Sequence, residues 1–228
     1  MTDRPIIFSA PMVLALLAGR KTQTRRYQFD DKGRLTTWGK LAVEWDRGER
    51  NQRVYVRENH QYWDWLEDGT PCIRYAADNA TSWAKPTTDE SAERCLEIWA
   101  ALSDPANFKI DGAARDRDWR PSIHMPRWAS RITLIVEAVK VERLQAISEG
   151  DAIAEGSRTV YGEPFQDGSA MSDRRRFELL WSSINGPDSW AANPWVGAVT
   201  FKVVRANIDS PTFAAIAASA GAPEVKAE

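Results

Sequence analysis

Ser9-Ala10-Pro11-Met12-Val13-Leu14-Ala15-Leu16-Leu17-Ala18-Gly19-Arg20-Lys21-Thr22-Gln23-Thr24-Arg25-Arg26 is the stretch from which the fold is read. Ser9 suits an N-cap, and Pro11 falls in the first turn, where its missing N–H costs nothing. Val13, Leu16 and Leu17 recur at i, i+3 and i+4 and give one apolar helical face. Gly19 is the residue type that closes a helix. The helix therefore stops where a polar run begins, with the cations Arg20, Lys21, Arg25 and Arg26 and the hydroxyls Thr22 and Thr24. In a strand, Lys21 and Thr24 would point to opposite faces. In a tight turn they would meet at i, i+3, and the glycine before them favours the turn.

Working outward, Pro5 to Phe8 reads as an opening strand, and Asp-Lys-Gly within Asp30 to Arg34 as a turn. Arg53-Val54-Tyr55-Val56-Arg57 alternates as a strand does. From His60 to about Trp119 the pattern weakens, with one helix from Asp89 to Leu102. Ser130 to Val141 carries the strongest strand signal, Ile132, Leu134, Val136 and Ala138 alternating with other residues. Ser148-Glu149-Gly150-Asp151 resembles a capping box opening a short helix that Gly156 closes. Asp173 caps a clearer helix with Phe177, Leu180, Trp181 and Ile184 on one face, and Trp195 to Val204 is a final strand.

Strands spread along the chain with few helices between them predict an α+β fold. The expected form is a small mixed β-barrel with flanking helices and a long insertion. The expected organisation is one domain over 1–205, with an insertion at about 60–118 forming a lid or wall. The residues 206–228, rich in Ala, Ser and Pro, read as a flexible tail.

The 228 residues carry a formal charge of −2, so any polyanion site must be a local basic patch. Two cysteines form no framework, and Met1-Thr2-Asp3-Arg4 lacks a signal peptide's apolar stretch. No run approaches the roughly 20 apolar residues of a membrane span. A cytoplasmic protein with no membrane partner is expected. His60 and His124 have no ligand-spaced companions, so no metal is expected. Eleven tryptophans exceed ordinary usage; most must be core, leaving a few for stacking on a planar ligand.

Four segments can carry chemistry. Lys21, crowded by arginines, should have a lowered pKa and could serve as base for a neighbouring hydroxyl; the alternative is a solvated basic loop or a phosphate-binding patch. Glu155 ends a short helix, where the macrodipole disfavours a carboxylate; it reads as an exposed Glu at a frayed end, or as one with a partner cation or a function. Glu149 and Asp151 read as helix-start residues. In Trp119 to Arg131, cations and aromatics interleave, as a segment holding a base and a phosphate would require, or as a packed strand entry would. Arg57-Glu58 ends a strand beside aromatics, as a pocket wall or an internal ion pair.

The run Leu17 to Arg26 closely resembles the G-x-K-T-x-T-x-R signature of ASCH domains. Ile7-Phe8-Ser9-Ala10-Pro11-Met12 and Pro121 to Arg131 look like the phage and prophage branch. The resemblance implies a PUA-like β-barrel, a fold linked to RNA binding. It also implies the activity of small bacterial members, amidohydrolases that remove the acyl group from N4-acetylcytidine and related N4-acylcytosines. Their Lys, their Thr three residues later and their downstream Glu match Lys21, Thr24 and, in ungapped register, Glu155. Arg26, Glu58, His124, Trp128 and Arg131 are then the expected substrate contacts, with a modified cytidine as partner and no cofactor. The small hydrolases are little more than the barrel, whereas this chain adds about sixty residues between Glu58 and Trp119. A rival reading is a non-catalytic RNA- or nucleotide-binding module, with Lys21, Arg25, Arg26, Arg127 and Arg131 on phosphate and Trp128 on a base. A third is a ribonuclease using the same basic groove. The acidic balance favours a small nucleoside over a long polyanion.

Overall fold

The structure is a computed structural model that describes residues 3–50, 52–103, 119–161 and 171–220. In chain order its elements are β1 (Asp3–Ile7), α1 (Ala10–Leu17), β2 (Gln23–Tyr27), α2 (Thr37–Asp46), β3 (Arg53–Arg57), β4 (His60–Trp65), β5 (Pro71–Tyr75) and β6 (Thr81–Trp83). There follow α3 (Asp89–Ser103), β7 (Thr133–Arg143), α4 (Glu149–Ala154), α5 (Arg158–Tyr161), α6 (Asp173–Asn185), β8 (Trp195–Val204) and α7 (Pro211–Ala220). Five strands hydrogen-bond in the order β1-β3-β7-β8-β2 and three in the order β4-β5-β6, a mixed α+β architecture. The chain divides into two compact units interleaved along the sequence.

The first unit contains Pro11–Val54 and Leu134–Val203. Its α1 buries Met12, Val13, Ala15 and Leu16. Gly19 stops the helix with φ +70°, a value at which a Cβ would be strained. The Arg20 amide donates to the Ala15 carbonyl at 2.9 Å and the Gly19 amide to that of Leu16 at 3.0 Å, the paired bonds of a Schellman cap. The polar run is therefore not one continuous turn. The turn is spent at Gly19, and by Gln23 the chain is strand β2, antiparallel to β8 with Thr24 opposite Val199 and Arg25 opposite Ala198. An apolar cluster of Leu144, Ile147, Ala152, Phe177, Trp181 and Val196 packs α4 and α6 together.

Two readings of α6 need correcting. Ser172, not Asp173, is its N-cap, accepting from the Arg175 amide, while the Asp173 carboxylate takes Arg158 and Arg176. Ile184 is 65% exposed, because the apolar stripe ends one turn earlier at Trp181.

The second unit contains Arg4–Ala10, Tyr55–Thr133 and the chain from Val204. The stretch with weak periodicity is ordered here: β4, β5 and β6 form an antiparallel sheet, and α3 follows. Residues 104–118, part of the predicted insertion, lie outside the described residues. Alternation fails in β4 and β5 because both faces are buried: Tyr62, Ile73 and Tyr75 pack against Cys95, Met125 and Trp128 on one side, and Gln61 and Cys72 are buried on the other. The predicted tail contains regular structure over its described part. Pro211–Ala220 is helix α7, and Phe213 is 1% exposed. The Asn207 side chain donates to the carbonyls of Arg127, Trp128 and Ser130 at 2.8, 3.1 and 2.7 Å. Three bonds to one amide pin a segment whose composition alone reads as loose. Residues 221–228 lie outside the described residues.

Candidate functional site

The Schellman cap delivers Lys21 to the end of α4. The Lys21 amide donates to the Ala15 carbonyl, the Thr22 amide to the Ala154 carbonyl at 2.9 Å, and the Phe201 amide to the Thr22 carbonyl. Main-chain bonds on three sides thus fix a residue outside any regular element. Helix α4 starts at the Ser148 cap and ends at Glu155, its C-cap, with Gly156 at φ +77° turning the chain away. A Cβ on Gly156 would lie 3.3 Å from the Cβ atoms of both Ala15 and Lys21, so glycine here permits the approach.

Lys21 is 2% exposed. Its Nζ donates to the Glu155 carboxylate at 2.9 Å, to the Glu155 carbonyl at 2.7 Å and to the Gln23 carbonyl at 2.9 Å. Burial lowers the Lys21 pKa below 10.5; Glu155 opposes this, and Arg26 and Arg25 add smaller contributions in the same direction as burial. The predicted direction holds, but desolvation leads and the arginines only assist.

Arg25, expected as one cation of a basic run or as a phosphate contact, is 1% exposed and organises the cluster. Its guanidinium donates to Glu155 at 3.2 Å, Glu142 at 2.6 Å, Asp151 at 3.1 Å and the Gln23 side chain at 2.5 Å. Asp151 does more than start α4, because Arg25 and Gln23 both reach it and hold its pKa down against burial. The signal available in sequence was parity: Gln23 and Arg25 are spaced by two, so an extended chain turns both to one side. Glu142, buried within β7, had no such marker.

Thr24 and Arg26 share the other parity. The Thr24 hydroxyl accepts from Arg26 at 3.1 Å, and Thr24 is buried. Burial lowers the Arg26 pKa, with Glu155 opposing. Lys21, Thr24, Arg26 and Glu155 all belong to the first unit.

The remaining predicted contacts, Glu58, His124, Trp128 and Arg131, belong to the second. Glu58 is buried and accepts both arms of Arg131 at 2.8 and 3.0 Å, and Asp78 takes the same guanidinium at 2.9 and 3.0 Å. Burial raises the Glu58 pKa while Arg131 opposes it. Of the two readings of Glu58, the geometry contains the internal ion pair. Trp128 is buried in the apolar cluster, its ring 6.4 Å from that of Tyr62. His124 is exposed at the end of a single 3-10 turn.

Among the described residues no group of three His, Cys, Asp or Glu side chains could hold a metal ion. No helix among them is long and apolar enough to cross a membrane. Comparison with protein-family models, with curated proteins and with solved structures finds no match.

Proposed function

We propose that the chain is an amidohydrolase that removes acyl groups from N4-acylated cytosine nucleosides, on a small PUA-like β-barrel of the ASCH type. The observation that carries this reading is the buried contact between Lys21 and Glu155, at 2.9 Å across 134 residues of sequence. A buried charge pair costs several kcal/mol per ion to desolvate, a burden retained where a function needs it. The lysine of the Gly-x-Lys-Thr-x-Thr signature, the Schellman turn before it and the Glu155 carboxylate meet in one side-chain cluster.

On this reading Lys21, in its neutral form, takes the proton of the Thr24 hydroxyl. The Thr24 oxygen adds to the acyl carbonyl carbon. The proton then passes to N4 as the carbon–nitrogen bond breaks, leaving cytidine and an acyl-threonine. Water attacks the ester, the carboxylic acid departs, and the hydroxyl is restored. Arg26, already bonded to the Thr24 oxygen, stabilises negative charge developing there. Glu155 holds the lysine through the cycle.

One observation favours a second route within the same chemistry. The Lys21 Nζ has three oxygen acceptors, an environment that suits the ammonium form. Glu155 is then the base for a water molecule, and Lys21 stabilises the oxyanion. The two routes differ in sign with pH. If neutral Lys21 is the base, kcat/KM rises as pH climbs through its lowered pKa. If the ammonium is required, kcat/KM falls across the same window.

The RNA-binding and ribonuclease readings draw less support. Arg25 is held by three carboxylates, Arg131 by Glu58 and Asp78, and Arg127 by Asp209 at 2.6 Å. Cations already neutralised in this way contribute little to phosphate binding.

The test is incubation with N4-acetylcytidine, following released cytidine, for the wild type, Lys21→Met, Thr24→Val and Glu155→Gln. Turnover by the wild type and a loss of about 10²-fold or more in Glu155→Gln are expected. Absence of turnover on every N4-acylated cytosine tried defeats the proposal. A mass gain of one acyl group on quenched enzyme selects the threonine route.

A further inference from the structure

The second unit has a cavity of about 610 Å³, within the range of small-molecule sites, and neither Lys21, Thr24 nor Glu155 lines it. Its walls include Trp83, Lys85, Trp128, Arg131, Arg205 and Thr212. We infer that this cavity is a separate binding site for a planar aromatic ring carrying an anionic group, of the size of a nucleoside monophosphate.

Trp83 is the first argument. Three tryptophans of the described residues are more than two-fifths exposed: Trp83, Trp119 and Trp195. Trp119 carries Arg74 over its ring at 5.8 Å and Trp195 carries Arg143 at 4.5 Å. Elsewhere Trp45, Trp63 and Trp190 are covered in the same way by Arg50, Arg74 and Arg174. Trp83, half exposed in the cavity wall, has no ring or cation over it among the described residues. A large apolar face left open in a concavity, in a protein that covers its other exposed tryptophans, suits a stacked ring.

The charge of the wall sets the second half of the ligand. Lys85, Arg131 and Arg205 line the cavity against one carboxylate, Asp209, which Arg127 already neutralises. Arg131 is committed to Glu58 and Asp78, so the exposed Lys85 supplies the positive charge that a ligand would meet.

The walls are also fixed before any ligand arrives. Asn207 ties the 206–210 side to the carbonyls of Arg127, Trp128 and Ser130. The Tyr75 hydroxyl bonds Ser82 and the Ala129 carbonyl, and Arg131 lies 4.1 Å over the Tyr75 ring. A site so held loses little conformational freedom on binding.

The experiment is isothermal titration of the full chain with adenosine 5′-monophosphate, cytidine 5′-monophosphate, cytidine and inorganic phosphate, repeated on Trp83→Ala and Lys85→Ala. Both substituted positions are exposed, and circular dichroism verifies that each variant folds. Both nucleotides bind the wild type, and cytidine and phosphate alone bind at least about ten-fold more weakly. Trp83→Ala costs about ten-fold or more and Lys85→Ala several-fold. Absence of nucleotide binding at millimolar concentration, or equal affinity in both variants, overturns the inference. Adenosine 5′-monophosphate contains no cytosine, so its binding is read independently of the proposed hydrolysis.

Discussion

Arg25 holds together more of the candidate site than any of the three predicted catalytic residues, and what it does there is electrostatic before it is chemical. Glu142, Glu155 and Asp151 converge on one guanidinium, and Lys21 takes the second oxygen of Glu155. Glu142 and Glu155 are bearable in the interior only because a cation faces each, while Asp151 lies at the partly exposed edge of the cluster. Replacing Lys21 leaves Glu155 still bonded to Arg25, and Glu142 keeps the exposed Lys140. Replacing Arg25 strips a partner from three acids at once. Arg25→Met should therefore lower the unfolding free energy by about 3–5 kcal/mol, and by more than Lys21→Met does. Arg25→Lys should recover only part of the loss, because an ammonium has no planar fork to serve several acids. Urea unfolding of the three variants measures the order; Lys21→Met emerging as the weakest would show that Arg25 is not the anchor.

The elements that bring these residues together are short, and their ends matter more than their middles. Helix α1 ends in a Schellman cap that aims Lys21, and α4 ends at a glycine that lets Lys21 pass. Those ends were legible: Gly19 and Gly156 both read as helix stops, and both have positive φ. The strand Trp195 to Val204 was legible to the residue, because a long apolar run between turn residues has few other readings. What could not be read was whether Arg20 to Arg26 turns or extends. That depends on pairing with β8, a partner some 175 residues away that local pattern does not reveal. The Arg25 cluster was hidden for the same reason, since its three acids lie on β7 and α4. Gly156→Ala tests the importance of the α4 terminus. The added Cβ would be strained at φ +77° and would crowd Ala15 and Lys21. A loss of about 1–3 kcal/mol by thermal unfolding is expected, with N4-acetylcytidine turnover falling further than stability alone explains. Turnover falling only in step with the folded fraction would show that the terminus supports the fold and not the lysine.

Across the whole molecule, the sequence of the second unit was the harder half to read, because its order rests on side chains that composition treats as loop formers. Asn207 and the short strands β4 to β6 are examples: a polar amide and a sheet packed without a clean alternating face. The same unit buries His60, whose ring titrates near neutrality in an open chain. Burial leads in lowering its pKa to about 4 from 6.5, with the Glu58 backbone opposing and Arg120, Arg57 and His124 adding to the decrease. Between those values the unfolded chain binds the proton and the folded one does not, so stability falls as pH drops from 6.5 toward 4. The shift corresponds to roughly 3 kcal/mol. Asp78, Asp151 and Asp173, held below 3.8 by their partners, lose their contributions only at lower pH, as it falls through their folded values. Glu58 acts oppositely: its raised pKa lets the folded form take a proton first, which offsets part of the loss just above 4.5. The acid limb should therefore begin with the histidine and not with the carboxylates. His60→Phe keeps a ring beside Tyr62 and removes the titration. Calorimetric Tm measured from pH 7.5 to 4.5 should slope downward in the wild type below about 6.5 and stay nearly flat in the variant until the carboxylates begin to protonate. Identical slopes in the two proteins would show that His60 does not govern the acid limb.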